Sequence, residues 1–174
     1  VEDLRAKGYD YWALGHIHKA EVVVTDPWVV FPGNLQGRHV GETGSKGATL
    51  VHVTDGVIDR LEPLTFDVSR WFILTIDAEG LGAEELLLAK AEEELREAAS
   101  EAGDRLVAAR ITIVGRTSLD GLLRTESHRI EQELRARAAS LSDDIWLEKF
   151  LVQTQGEDDP LESDEDDGFL EIAD

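Results

Sequence analysis

Two histidines one residue apart, His16 and His18, follow Gly15 at the end of a short apolar run in "DYWALGHIHKA", residues 10–20. Side chains two apart in an extended segment point the same way, and in a tight loop after a strand they can reach two different ions. Neutral imidazoles are common ligands of divalent metals, and Gly15 lets backbone pass close to an ion. A bare H-x-H is more often ordinary polar surface. The sequence has no cysteine, so any metal must be held by His, Asp, Glu or Asn. A divalent ion takes about four to six ligands, so two imidazoles cannot form a catalytic centre alone.

The next candidates lie in "PGNLQGRHVGETGSKG", Pro32 to Gly47, a connection with five glycines in sixteen residues. A loop of that length is more often functional than not. Within it Asn34, Arg38 and His39 are candidates for contact with substrate. Arg38 suits a phosphate through its bidentate fork, and equally suits a salt bridge to Glu42 or Asp26. His39 reads either as a contact to phosphate or metal-bound water, or as a solvated loop residue. His52 reads as a hydrogen-bonded residue on a strand face, and His128 as surface.

The elements that must position these residues follow from patterning. Residues 9 to 66 alternate β-rich runs with turn signals: "YWAL", "AEVVVT", a turn at Asp26-Pro27, "WVVF", the glycine-rich loop, "ATLVHVT", a turn at Asp55-Gly56, and "VIDRLEPLTF". This reads as a meander of strands. From Trp71 the pattern becomes strand, helix, strand, helix, strand. "RWFILTID" is a strand, and "AEELLLAKAEEELREAASEAG" places Leu87, Ala91, Leu95 and Ala99 on one helical face with Gly103 as its stop. "RLVAARITIVG" alternates Val107, Ala109, Ile111 and Ile113 against Ala108, Arg110 and Thr112, as a half-buried strand does. A helix over about 127–140 aligns Ile130, Leu134, Ala138 and Leu141, and "DIWLEKFLVQT" closes as a strand. The expected fold is α+β, with a three-stranded sheet covered by two helices in the second half.

The chain has 174 residues, 42% of them hydrophobic, with a formal charge of −20. No apolar run approaches the ~18 residues that would span a bilayer, and no secretory signal opens the chain, so a cytoplasmic address with no membrane partner is expected. From Gly156 onward there are ten acids and no base, leaving 27 acids against 17 bases before it. Such a tail, residues 156–174, is expected to be disordered and solvated, with Phe169, Leu170 and Ile172 as an alternative docking motif. The chain contains no methionine and begins at Val1 in what reads as the middle of a helix closed by Gly8. A C-terminal piece of a longer protein is the expectation. Strong acidity argues against simple nucleic-acid binding, since phosphate contacts need local cations. Arg110, Arg116, Arg124 and Arg129 could form a basic patch, or simply line a solvated surface.

"YDYWALGHIHK" resembles the G-H-x-H motif of the calcineurin-like metallophosphoesterases. "DPWVVFPGNLQGRHVGETGSKGATLVHV", with the β-α-β-α-β unit after it, resembles the bacterial DNA repair exonucleases of the SbcD/YhaO type. The resemblance covers residues 1 to about 155. It implies that residues 1–68 are the C-terminal strands of a metallophosphoesterase β-sandwich and that 69–155 form a small capping domain that helps bind DNA. It further implies that His16 and His18 each coordinate one ion of a dinuclear manganese centre, with magnesium as an alternative. The family's remaining ligands come from D-x-H, G-D-x-x-D and G-N-H motifs, none of which occurs here; Gly33-Asn34 is followed by Leu35. The family's catalytic histidine, expected in G-N-H, therefore lies outside this sequence, and residues 1–174 alone are expected to be inactive. Implied partners are DNA, an SMC-like ATPase and a second copy of the full-length chain.

Three functions are then open. One is part of a manganese-dependent DNA repair exonuclease; another is a non-catalytic docking module for an SMC-like ATPase. The third keeps phosphodiester hydrolysis but gives it a small substrate, for which a DNA-facing cap is superfluous.

Overall fold

Burial is divided unevenly along the chain, for which a computed structural model describes residues 1–159. The alternative docking motif at Phe169, Leu170 and Ile172 lies outside them, as does most of the acidic tail. A single turn of helix, α1 (Glu2–Arg5), precedes β1 (Tyr11–Ala13), β2 (Glu21–Thr25) and β3 (Trp28–Phe31). β2 and β3 form an antiparallel hairpin through Asp26-Pro27, with a bulge between Val22 and Val24. β1 lies on the far edge of β3 and pairs with it in parallel, Tyr11 opposite Trp28 and Ala13 opposite Val30. The order is thus β1-β3-β2 and not a simple meander. The histidine-bearing connection must cross the end of β3 to reach β2, so it shares that sheet end with the loop leaving Phe31.

Next comes an isolated hairpin, β4 (Gly47–Thr54) and β5 (Val57–Thr65). Its two-residue turn has Asp55 and Gly56 both at positive φ, 51° and 80°. That conformation matches the twist of paired strands, and Asp-Gly is among the pairs that adopt it at least cost. Across the hairpin His52 Nε2 lies 2.8 Å from Glu62 Oε2, the hydrogen-bonded strand-face role expected of it. His128 is exposed on a helix.

The second half holds the main core. β6 (Ser69–Asp77), β7 (Leu106–Arg116) and β8 (Ile145–Gln155) form a three-stranded sheet in that order, all parallel. Parallel strands need crossovers, supplied by α2 (Glu84–Ala102) and by α3 (Asp120–Thr125) with α4 (Ser127–Leu141). The short α3 is a turn of helix that patterning did not separate from its surroundings. Leu74, Ile76, Ile111, Ile113 and Leu147 from the sheet meet Leu87, Leu95, Leu123, Ile130 and Leu134 from the helices in one buried cluster. On α2 the buried stripe is Leu87, Leu88, Ala91, Leu95, Ala98 and Ala102, with Ala99 at its margin. Gly103 ends the helix at φ 64°, its N–H bonding to the Ala99 carbonyl. In contrast, among residues 1–66 the buried hydrophobic side chains are Val29 and Val30.

The four arginines of the expected basic patch all have partners within the chain. Arg110 pairs with Glu148 and Arg124 with Asp120; Arg129 joins α4 to Glu84 on α2; Arg116 donates to the Glu157 and Asp159 carbonyls. Among the described residues no helix is long and apolar enough to cross a membrane.

Asp67 fastens the two halves together. Its fully buried carboxylate accepts from Arg70 Nε (3.0 Å) and Nη2 (3.2 Å), from Arg105 Nε (2.6 Å) and from the Lys46 amide (3.3 Å). The same arginines donate to the Glu101 and Ala102 carbonyls at the end of α2, which otherwise have no helical partner.

Candidate metal centre

The Leu14 amide donates to the Val30 carbonyl, 2.8 Å, carrying the β1 pairing one residue past the strand before the chain turns away through Gly15. His16 then sits at φ 78°, a left-handed conformation that costs a non-glycine residue about 1 kcal/mol or more and that recurs at functional sites. His16, Ile17, His18 and Lys19 form one wall of a cleft of about 450 Å³ whose other wall is Gly41, Glu42, Thr43 and Lys46. The sheet end thus brings the two histidines against the far part of the glycine-rich loop.

Glu42 is the centre of that contact. It is 6% exposed, and its Oε1 lies 2.5 Å from His18 Nδ1. Its Oε2 accepts from the Arg38 amide at 2.8 Å and from Asn34 Nδ2 at 3.0 Å. The Arg38 N–H, followed by the His18 hydrogen bond, holds its carboxyl at about 2, with Asn34 and His39 adding to the effect and burial opposing it. Glu42 is therefore an anion throughout the neutral range.

Of the other residues singled out by sequence, Asn34 also donates Nδ2 to the Gln36 carbonyl and so braces the loop from within. Arg38 reaches Glu42 through its backbone amide; neither salt bridge considered for its exposed side chain, to Glu42 or to Asp26, is formed among the described residues. His39 accepts the Gly41 N–H at Nδ1 (3.1 Å) and places Nε2 3.5 Å from Glu42 Oε1. Glu42 itself was visible in the sequence only as a salt-bridge partner for Arg38. The available signal was its being the single acid between Pro32 and Gly47 in a chain with 37 acidic residues.

Gly33 sets the spacing between the two loops. It lies at φ 77°, and a Cβ there would stand 2.9 Å from the Ala20 nitrogen and 3.0 Å from the His18 carbonyl oxygen. These are backbone atoms with no easy escape. Gly33→Ala is expected to cost about 1–3 kcal/mol and to displace the His18 loop; an unchanged urea midpoint would refute the contact. On the other side, Gln36 accepts the Val68 amide and donates to the Ser69 carbonyl, and Trp71 Nε1 donates to the Gly37 carbonyl, tying the loop to β6.

As a metal site the arrangement is partial. Two imidazoles line one cleft and a buried anion orients one of them, a donor set suited to a borderline divalent cation. Among the described residues no group of three or more His, Asp or Glu side chains is placed to hold an ion. The described chain thus offers two candidate ligands, one of them hydrogen-bonded to a buried carboxylate.

Residues 71–155 match the family model described as the middle domain of metallophosphoesterase YhaO. A Bacillus subtilis (strain 168) protein described as the uncharacterized metallophosphoesterase YhaO is 59% identical over 58 residues. That alignment covers 33% of this chain and 14% of the relative, so the matched stretch is a small part of that protein. The β6-to-β8 unit is thus similar to the YhaO-type middle domain, and a 58-residue stretch of the chain is similar to part of a metallophosphoesterase.

Proposed function

We propose that this chain is part of a metal-dependent phosphodiester hydrolase acting on DNA, a manganese-dependent repair exonuclease in its full-length form. The observation that supports this best is the cleft in which His16 stands beside a His18 fixed by a buried carboxylate. In this reading His16 and His18 give ring nitrogen lone pairs to divalent ions, manganese or magnesium, and ligands from outside this sequence complete the set. Two such ions, when bound, supply an activated water and neutralise charge on the scissile phosphodiester. The chain's own contribution is to place both imidazoles in one cleft, where Glu42 orients His18 through Nδ1 and Gly33 keeps the loops close. Asn34, Arg38 and His39 stand on the adjoining loop, where Arg38's exposed guanidinium is free to meet a phosphate. Residues 69–155 serve as the cap over the DNA path, and a second copy of the full-length chain and an SMC-like ATPase are the proposed protein partners.

The test is to assay the full-length protein for hydrolysis of linear duplex DNA and of bis(p-nitrophenyl) phosphate, with manganese, with magnesium and with chelator. Release of nucleotides from DNA ends that requires added metal supports the proposal. Hydrolysis of the small diester alone would transfer the chemistry to a small substrate. No metal-dependent hydrolysis of either, with retained binding to an ATPase partner, would leave a docking module.

A further inference from the structure

We infer that Glu42 is a positioning residue for metal binding: it fixes His18 in the tautomer protonated at Nδ1, so that the Nε2 lone pair alone faces the cation. This rests on the assignment of His18 as a metal ligand, and it adds the coordinating atom and the group that selects it.

The argument is one of hydrogen-bond inventory. An ionised carboxylate only accepts, so the ring nitrogen 2.5 Å from Oε1 must carry the proton. A neutral imidazole has one N–H and one lone pair, which leaves the lone pair at Nε2. The carboxylate cannot swing away, because Oε2 is held by the Arg38 amide and by Asn34 Nδ2. His39 stands nearby, its Nδ1 accepting from the Gly41 N–H and its Nε2 3.5 Å from the same Glu42 oxygen. A carboxylate behind a ligating histidine fixes ring orientation and raises ligand basicity, and its loss typically lowers metal affinity about 10–100-fold. His16 has no such partner among the described residues, which makes His18 the better-defined of the two donors.

The experiment uses the full-length chain, metal-free and labelled with 15N at histidine, to read the His18 tautomer by long-range 15N–1H correlation. Mn2+ affinity is measured by calorimetry on the same samples. The wild type should show His18 protonated at Nδ1. Glu42→Ala should lose that preference and bind Mn2+ about 10–100-fold more weakly. Asn34→Ala, which removes one bond to Oε2 and none to Oε1, should keep the tautomer even where the loop loses stability. If His18→Ala binds Mn2+ as the wild type does, the ligand assignment fails. If His18→Ala loses the ion while Glu42→Ala keeps both tautomer and affinity, the positioning role alone fails. Should Glu42→Ala not fold, a wild-type His18 protonated at Nε2 would by itself overturn the inference.

Discussion

Asp67→Ala is expected to lower the stability of the folded chain by about 3–5 kcal/mol, the usual loss when one partner of a buried ion pair is removed. The carboxylate has no solvent exposure, and Arg70, which it clasps through both oxygens, is 8% exposed. Without it a guanidinium stays buried with no counter-charge, and the Lys46 amide loses its acceptor. The thermal midpoint should fall by on the order of 10 °C, read by urea and heat unfolding through tryptophan fluorescence. A loss below about 1 kcal/mol would mean the pair behaves like a surface salt bridge. Acid should act on the same group. Burial raises its pKa, but the hydrogen bonds from Arg70 and then Arg105 outweigh this and leave it below the ordinary 3.8. A depressed folded-state pKa contributes stability that is present above the unfolded value and lost as pH falls through the folded one. Asp67 therefore stabilises the chain in full at neutral pH and ceases to do so only below about pH 4.

His18→Ala should reduce metal-dependent hydrolysis by the full-length protein at least about a thousandfold, the equivalent of ~4 kcal/mol of transition-state stabilisation. Its side chain is 48% exposed and Glu42 keeps two other donors, so the fold should lose about 1–2 kcal/mol, chiefly the hydrogen bond to Glu42. A large fall in activity with little change in unfolding separates a ligand from a structural residue. Hydrolysis retained within tenfold would remove His18 from the proposed centre.

The second half of the chain was legible because one physical rule governs it. The β6-to-β8 unit has its own core, so the apolar periods of α2 and α4 in the sequence fall on buried positions; β7, which alternation reads as half-buried, is buried on both faces because it is the middle strand, Ala108 and Thr112 included. In the first half few side chains are buried, and pairing is decided by crossings that hydrophobic period does not encode. The parallel alignment of β1 with β3 depends on how residues 14–20 pass over the sheet end. The histidine pair was recognisable by type and spacing, while Glu42 was not, because its importance comes from three donors converging on it from different positions. Asp67 escaped for the same reason: its arginines stand 3 and 38 residues away.

β7 is the middle strand of the parallel sheet, bonded to β6 from Ser69–Leu106 to Asp77–Val114 and to β8 from Val107–Ile145 to Arg116–Gln155. Neither neighbour is adjacent to it through a short turn, so it gains order only after two long crossovers have closed. Once formed, it has no free edge from which to fray. Loss of order should begin at the β4–β5 hairpin, which has no third strand, and reach β7 last, when the whole unit gives way. This middle strand, remote from the histidine cleft, is in this sense the clock of the molecule, setting how long the assembled chain survives.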